Sequence, residues 1–503
     1  MVFNSLSYLF FFPFTVLLYF ALPWQRARNA FLLFASYFFY MCWNPTYIVL
    51  LFGCTLITYT DGLFIDIAKK EKEQNIEKQL RHTGPKIVYV IITLITVIAV
   101  LAWFKYANFL TGSFVAVLKM FGVVVHIPRV DVLLPIGISF YTFQALSYVI
   151  DVYRGTISAE RNFFRYMLFI SFFPQNAAGP IGRAGKLLDQ FNHKHSFDIE
   201  RVSKGLMMML WGYFIKVVIA DRLAILIDQV FNYYTAYEGL IPIIATVFFG
   251  IQIYCDFAGY TNIAIGSAQI LGFELTQNFE QPYLATSVAD FWRRWHISLT
   301  SWFRDYIYIP LGGSRKGKKR QYFNILFVFL VSGLWHGAAW TYVLWGGMNG
   351  IYQIIGSILK PLREKILCFM HINTNSMGHR LVQRIITFIF VDFAWLFFRA
   401  HTISAAFGMI RQSFRIFNPW VLFDGTIYSL GLDAINFWIT LCAIMVLFIV
   451  DVLHEKEIHI RDRILRQPLP VRWGLYYAAG LAIIIFGVYG PAYNAGSFIY
   501  FQF

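Results

Sequence analysis

Apolar residues run along this chain in stretches near twenty residues, separated by short polar clusters. A coiled stretch of that length matches the hydrocarbon thickness of a bilayer, so the pattern predicts a polytopic, all-α integral membrane protein. The reading gives about eleven transmembrane helices with re-entrant and interfacial helices besides. Among the predicted spans are Ser5–Leu22, Ile87–Tyr106, Phe109–Val125, Asp131–Gly155, Lys204–Val230, Ile241–Gly272 and Asn324–Leu344. Ser5–Leu22 lacks a basic leader and a small-residue cleavage site, so it reads as a retained span. Phe163–Arg183 breaks at Pro174-Gln175-Asn176 and ends in Gly179-Pro180-Ile181-Gly182, which reads as a re-entrant segment lining a cavity near the site. Ile241–Gly272 carries Gln252, Tyr254, Asp256, Tyr260 and Asn262, too polar a set to face lipid.

Asp290–Tyr342 organises the rest. Phe291, Trp292, Trp295, Leu299, Trp302, Phe303 and Tyr306 recur at helical spacing, which predicts an amphipathic helix. Arg293, His296 and Thr300 follow one another at three and four residues and fall together on another face of that helix. A turn at Pro310-Leu311-Gly312-Gly313 and a basic cluster lead into Asn324–Leu344, where His336 alone titrates near neutral pH. An ionisable group at membrane depth is costly to bury and therefore marks a functional site by default.

Composition narrows the picture. Hydrophobic residues make up 58% of the 503 and charged residues 14%, so no soluble core could hide the apolar surface. No long polar stretch separates the spans, so residues 1–503 read as one membrane domain, with its motif-bearing core at about 131–360. The five cysteines are scattered, with neither disulfide nor zinc spacing, and no metal site is expected. The net charge of +15 sits in short clusters at span ends. That placement fits the positive-inside rule and excludes a nucleic-acid-binding surface. It puts Arg26, Arg28 and the Lys69–Lys86 loop in the cytoplasm and both chain ends outside.

An imidazole in an apolar site stays neutral and can accept a proton, which suits a general base acting on a hydroxyl. His336 has that setting: Gly333 and Gly337 thin the helix around it, and Trp335 and Trp340 supply apolar walls. The bland alternative is a core histidine satisfied by a neighbouring carbonyl or tyrosine. His296, beside Arg293 and Arg294, is either a second catalytic group, a donor-holding group or part of an interfacial belt. Arg315 and Lys316, in Ser314–Arg320, either attract the phosphates of a coenzyme A-like donor or anchor the helix end. Asp256 and Asp290 orient a histidine, bind a proton or pair with an arginine. Tyr254, Gln175 and Asn349, polar groups inside apolar segments, complete the candidate donor-binding set with Trp335. Without a G-x-S-x-G elbow or a Cys–His arrangement, an alcohol would attack a thioester directly. A transporter would favour inverted repeats with paired broken helices, and none is evident.

Several segments are similar to the membrane-bound O-acyltransferase family, most closely its bacterial alginate O-acetylation branch. They are Pro135–Gly155 (PIGISFYTFQALSYVIDVYRG), Phe173–Arg183 (FPQNAAGPIGR) and Gln252–Gly266 (QIYCDFAGYTNIAIG). Asn278–Gly313, with RRWHIS, and Gly333–Gly350, with WHGA, continue the series in family order. The resemblance implies that His336 matches the family's catalytic histidine and His296 its second histidine. It implies a helical fold with a tunnel across a bacterial cytoplasmic membrane. Acyl groups would pass from a cytoplasmic thioester, acetyl-CoA or an acyl carrier, to an acceptor outside. It further implies an extracytoplasmic SGNH-type acetyltransferase as partner and a polysaccharide as final acceptor. Related proteins instead transfer D-alanine from a carrier protein toward teichoic acid. Asn262, Asn176-Ala177 and Met348-Asn349 depart from the branch's pattern, which argues against alginate itself as acceptor.

Overall fold

A computed structural model of the chain describes residues 1–74, 84–130, 134–135, 137–176 and 179–489. Residues 75–83 of the Lys69–Lys86 loop and the C-terminal residues 490–503 therefore lie outside the described residues. The described residues are helical, apart from one isolated β-bridge between Phe279 and Trp295. They cluster into two compact units, Met1–Leu206 with Ala264–Thr276, and Met207–Ile263 with Gln277–Phe503.

The first unit contains α1 (Leu6–Ala21), α2 (Gln25–Met41), α3 (Ile48–Gln74), α4 (Gly84–Met120), α5 (Ile138–Arg154), α6 (Phe163–Ser171), α7 (Phe173–Asn176), α8 (Ala184–Gln190) and the start of α9 (Ile199–Tyr213). The Ser5 and Asn162 side chains accept the N–H groups of Tyr8 and Arg165 and so cap α1 and α6. α4 is one 37-residue helix where the sequence predicts two spans. Asn108, at the expected break, is satisfied sideways: its side chain exchanges hydrogen bonds with the Val130 backbone at 2.8 and 2.9 Å. Phe163–Arg183 does break, but at Phe172 and not at Pro174-Gln175-Asn176, which are helical. α6 and α7 meet at Phe172, and the chain beyond folds over the buried Gln175. A Cβ on Gly182 would reach the Gln175 amide at 2.5 Å, and one on Gly179 the Gln175 Cα at the same distance.

The second unit holds the rest of α9, a π-helical segment (Phe214–Ala220), α10 (Asp221–Asn232), most of α11 (Leu240–Leu271), α12 (Val288–Arg294) and α13 (Ile297–Phe303). α14 (Lys318–His336), α15 (Trp340–Phe369), α16 (Met377–Arg399), α17 (Ile403–Ser413), α18 (Ala434–Glu455), α19 (Ile460–Leu465) and α20 (Leu469–Phe486) follow. Among the described residues of the whole chain, six helices are long and apolar enough to cross a membrane, and Leu6–Ala21 is a shorter apolar helix. The predicted count of about eleven included less apolar helices such as α14 and α15, which pack on each other.

Two predicted elements differ in ways that bear on the chemistry. Asn324–Leu344 is not one span: α14 ends at His336, and α15 begins at Trp340. The hairpin closes because its two arms touch through glycine. A Cβ on Gly333 would collide with the Tyr342 carbonyl, and one on Gly346 with the Phe329 carbonyl. Asp290–Tyr306 is not one amphipathic helix either. Its chain turns over at Trp295–His296, so Arg293 lies before the break and Thr300 beyond it, on no common helical face.

Candidate active site

The break before α13 is imposed from outside the segment. Glu280 N–H donates to the Arg294 carbonyl at 3.0 Å, and Ile297 N–H to the Asn278 carbonyl at 3.0 Å. These bonds pull Trp295 into extended backbone and leave His296 in the left-handed region at φ 45°. Histidine tolerates that region better than β-branched residues do, yet it remains a strained position of the kind that collects at functional sites. The Asn278 side chain is itself buried and receives the Ser298 N–H, which holds the turn from the other side.

His336 comes to the same place from the tip of the α14–α15 hairpin. Its ring centroid is 6.4 Å from that of His296, with the planes 60° apart. Both imidazoles are buried, and aromatic rings surround them. His336 meets Trp335 at 5.0 Å, Trp345 at 5.1 Å and Phe398 at 5.5 Å; His296 meets Phe257 at 4.7 Å and Trp335 at 5.9 Å. Trp335 therefore touches both histidines. Burial pushes the His296 imidazole down to about 3, so it is neutral near pH 7. Two imidazoles at this separation can flank a small reacting group and pass a proton to or from it.

The other predicted site residues divide by what they touch. Asn349 is buried behind the site, accepting the Trp292 indole N–H at 3.1 Å and donating to the Trp345 carbonyl at 2.9 Å. It ties α12 to α15 and so joins the two histidine-bearing parts. The Tyr254 hydroxyl donates to the Asp451 carboxylate at 3.2 Å, while its ring packs 6.2 Å from Trp295. Asp256 pairs with a lysine: Lys216 of the π-helical segment binds it, and also Asp221 at 2.7 Å, with all three buried. Asp256 nevertheless precedes Phe257, whose ring lies on His296.

Asp290 pairs with arginine, one of its predicted roles. It meets Arg293 at 3.2 Å and Arg294 at 3.3 Å, and Arg294 also binds Glu455 of α18 at 2.6 Å. Arg384 of α16 joins that glutamate at 3.4 Å, so the cluster staples three helices at one end of the unit. Burial pushes the Asp290 carboxyl up, but the Thr286 N–H and the two arginines outweigh it and hold it below its ordinary value. Arg293 faces solvent, as do Arg315 and Lys316 in the turn before α14. Gln175 belongs to the first unit, where it donates to the Gln144 side chain at 2.5 Å. Sequence reasoning missed Lys216, Asp451 and Glu455, each of which signalled itself only as a charge in an apolar run or at a helix end.

Comparison with known proteins bears on this arrangement. A sequence model of the membrane-bound O-acyltransferase family matches residues 157–399, which include both histidines. The chain is 39% identical over 423 residues to the probable alginate O-acetylase AlgI of Pseudomonas putida, covering 84% of this chain and 82% of that protein. It is 32% identical over 442 residues to the peptidoglycan O-acetyltransferase of Helicobacter pylori, covering 82% and 79% respectively. It is also 25% identical over 282 residues to the teichoic acid D-alanyltransferase of Bacillus subtilis, covering 54% and 70%.

Proposed function

The chain belongs to the membrane-bound O-acyltransferase family, and we propose that it moves an acetyl group from a cytoplasmic thioester to a hydroxyl for cell-surface polysaccharide O-acetylation. It is an O-acyltransferase of the membrane, and the proposal concerns its donor, acceptor and chemistry. The observation that carries it is the meeting of His336 and His296, 6.4 Å apart inside a box of aromatic rings. In this reading His336 is the general base. It takes the proton of the acceptor hydroxyl as that oxygen attacks the thioester carbonyl. The carbon–sulfur bond then breaks, and the thiolate recovers the proton from the imidazolium, so no residue is acylated. His296, neutral and fixed by its backbone, assists that transfer or positions the thioester. The rings exclude water, which would otherwise compete as acceptor.

Acetyl-CoA is the proposed donor, drawn to the basic surface that includes Arg293, Arg315 and Lys316. That surface is cytoplasmic in the proposed orientation, in a bacterial inner membrane. An extracytoplasmic SGNH-type acetyltransferase is the proposed partner that completes transfer to the polysaccharide. The similarity to two O-acetylating proteins over more than four-fifths of the chain favours acetyl. The shorter match to a D-alanyltransferase supports D-alanyl transfer from a carrier protein as the second reading.

The test is transfer of radiolabel from acetyl-CoA to a hydroxyl-bearing acceptor by purified protein in nanodiscs. Transfer by the wild type and none by a folded His336→Ala variant is expected. Transfer only from an acyl-carrier thioester would replace acetyl-CoA as the donor. An active His336→Ala variant would remove the general base.

A further inference from the structure

Residues 400–433 join α16 to α18, two helices long and apolar enough to span the membrane, so this segment is tethered to the membrane at both ends. It emerges at the end of the unit opposite the Arg294–Glu455–Arg384 cluster, since α16 runs from Arg384 toward Arg399 and α18 from Ala434 toward Glu455. Four rings recur in it at three-residue spacing, and all are turned outward. Phe414, Phe417, Trp420 and Phe423 are 82%, 93%, 70% and 82% exposed, and Ile416 and Leu422 between them are exposed as well. So many exposed apolar side chains within ten residues are uncommon unless something covers them.

The opposite side of the same segment is fixed by polar contacts. Gly239 N–H donates to the Gln412 carbonyl at 2.9 Å, and the Gln412 side chain donates to the Thr235 carbonyl at 3.1 Å. The Arg415 guanidinium pairs with Glu238 at 2.6 Å. Gly239 has φ 66°, and a Cβ there would press on the Ile416 carbonyl at 2.8 Å, so the approach needs glycine. The rings are thus held outward by a built scaffold.

We propose that this aromatic face is a membrane-surface shelf, lying among lipid headgroups and the first carbons of the acyl chains. Four observations select lipid as the occupant. The backbone here runs through short 3₁₀ turns, Pro419–Leu422 and Thr426–Ser429, and such backbone cannot lie exposed in the hydrocarbon core. The rings, in turn, favour the interface over water. Farther along the chain, Ile435 and Trp438 are exposed as well, at the start of the α18 span. Finally, the one charged side chain from Phe414 to Phe423 is Arg415, an exposed guanidinium paired with Glu238, so apolar area outweighs charge on this face.

Nitroxide depth measurement tests this on the full chain in phosphatidylcholine nanodiscs, with the exposed Cys42, Cys368 and Cys442 replaced by Ser. Spin labels at Phe417→Cys and Phe423→Cys should be relaxed more by oxygen than by a water-soluble nickel chelate, as within the interface. A label at the exposed Ser429→Cys should show the reverse. Adding phosphatidylglycerol should change neither. Nickel-favoured relaxation at positions 417 and 423 would overturn the shelf and leave a water-facing patch suited to a protein or glycan. A label at Trp420→Cys separates rings from tethers: it should lose its oxygen preference when Phe417 and Phe423 are both changed to Ser. If it keeps that preference, the flanking spans alone set the depth, and the proposal fails.

Discussion

Two buried polar clusters within one unit meet burial in opposite ways. Lys216 lies between Asp221 and Asp256, a cation against two carboxylates, and its ammonium also sits 5.5 Å from the Tyr260 ring. His336 and His296 instead meet each other and the rings of Trp335, Trp345, Phe257 and Phe398. Permanent charges must be matched where water is excluded, and a matched cluster is held in place by the cost of breaking it. Imidazoles escape that requirement by staying neutral, which leaves them able to exchange a proton. The first arrangement braces the π-helical segment against α11, and the second equips the molecule for chemistry.

Substitutions that exchange these behaviours test the contrast. The largest effect is expected at His336: replacement by Ala should lower acyl transfer by about a hundred-fold or more with the fold retained, as for loss of a general base. Turnover in nanodiscs alongside size-exclusion behaviour would show it. Lys216→Met should do the opposite, costing about 3–5 kcal/mol of stability by leaving two carboxylates facing each other. Thermal unfolding in detergent would record that loss, with activity per folded molecule near wild type. The double change Lys216→Met with Asp256→Leu should recover part of it.

His296 offers a subtler measure. Its folded value is depressed to about 3 from 6.5, so the unfolded chain binds a proton that the folded chain refuses. Its contribution is therefore fully present above 6.5 and is lost as pH falls toward about 3, at about 1.4 kcal/mol per pH unit. Unfolding temperatures between about pH 7 and about pH 5 should fall less steeply in His296→Gln than in wild type. The smallest effect is expected at the half-exposed staple. Glu455→Gln should cost at most about 1 kcal/mol, and the difference should shrink in high salt.

The sequence carried the chemistry further than the geometry. The lone group in Asn324–Leu344 that titrates near neutral pH, flanked by glycines, already singled out His336, and the RRWHIS and WHGA segments singled out the family. Apolar run length was enough for an all-helical membrane fold. Neither histidine's backbone setting could be read the same way. Nothing local distinguishes Trp295-His296 from helix interior, because its break is made by hydrogen bonds to Asn278 and Glu280. The apolar run through Gly337-Ala338-Ala339 likewise continues unbroken, and it folds back only because Gly333 and Gly346 let the two arms touch.

What the sequence determined by itself, then, is the solvent each segment can tolerate and the residue types available for proton transfer. Both follow from composition over short windows. Tertiary structure alone decided which charges are consumed in pairing and which imidazoles meet. Lys216 and Asp256 lie forty positions apart, as do His296 and His336; the first pair meets where two continuous helical segments pack side by side, and the second where helices end. Spacing identical in sequence gave a structural brace in one case and a candidate reaction centre in the other, because only packing sets the distance and the dielectric between side chains.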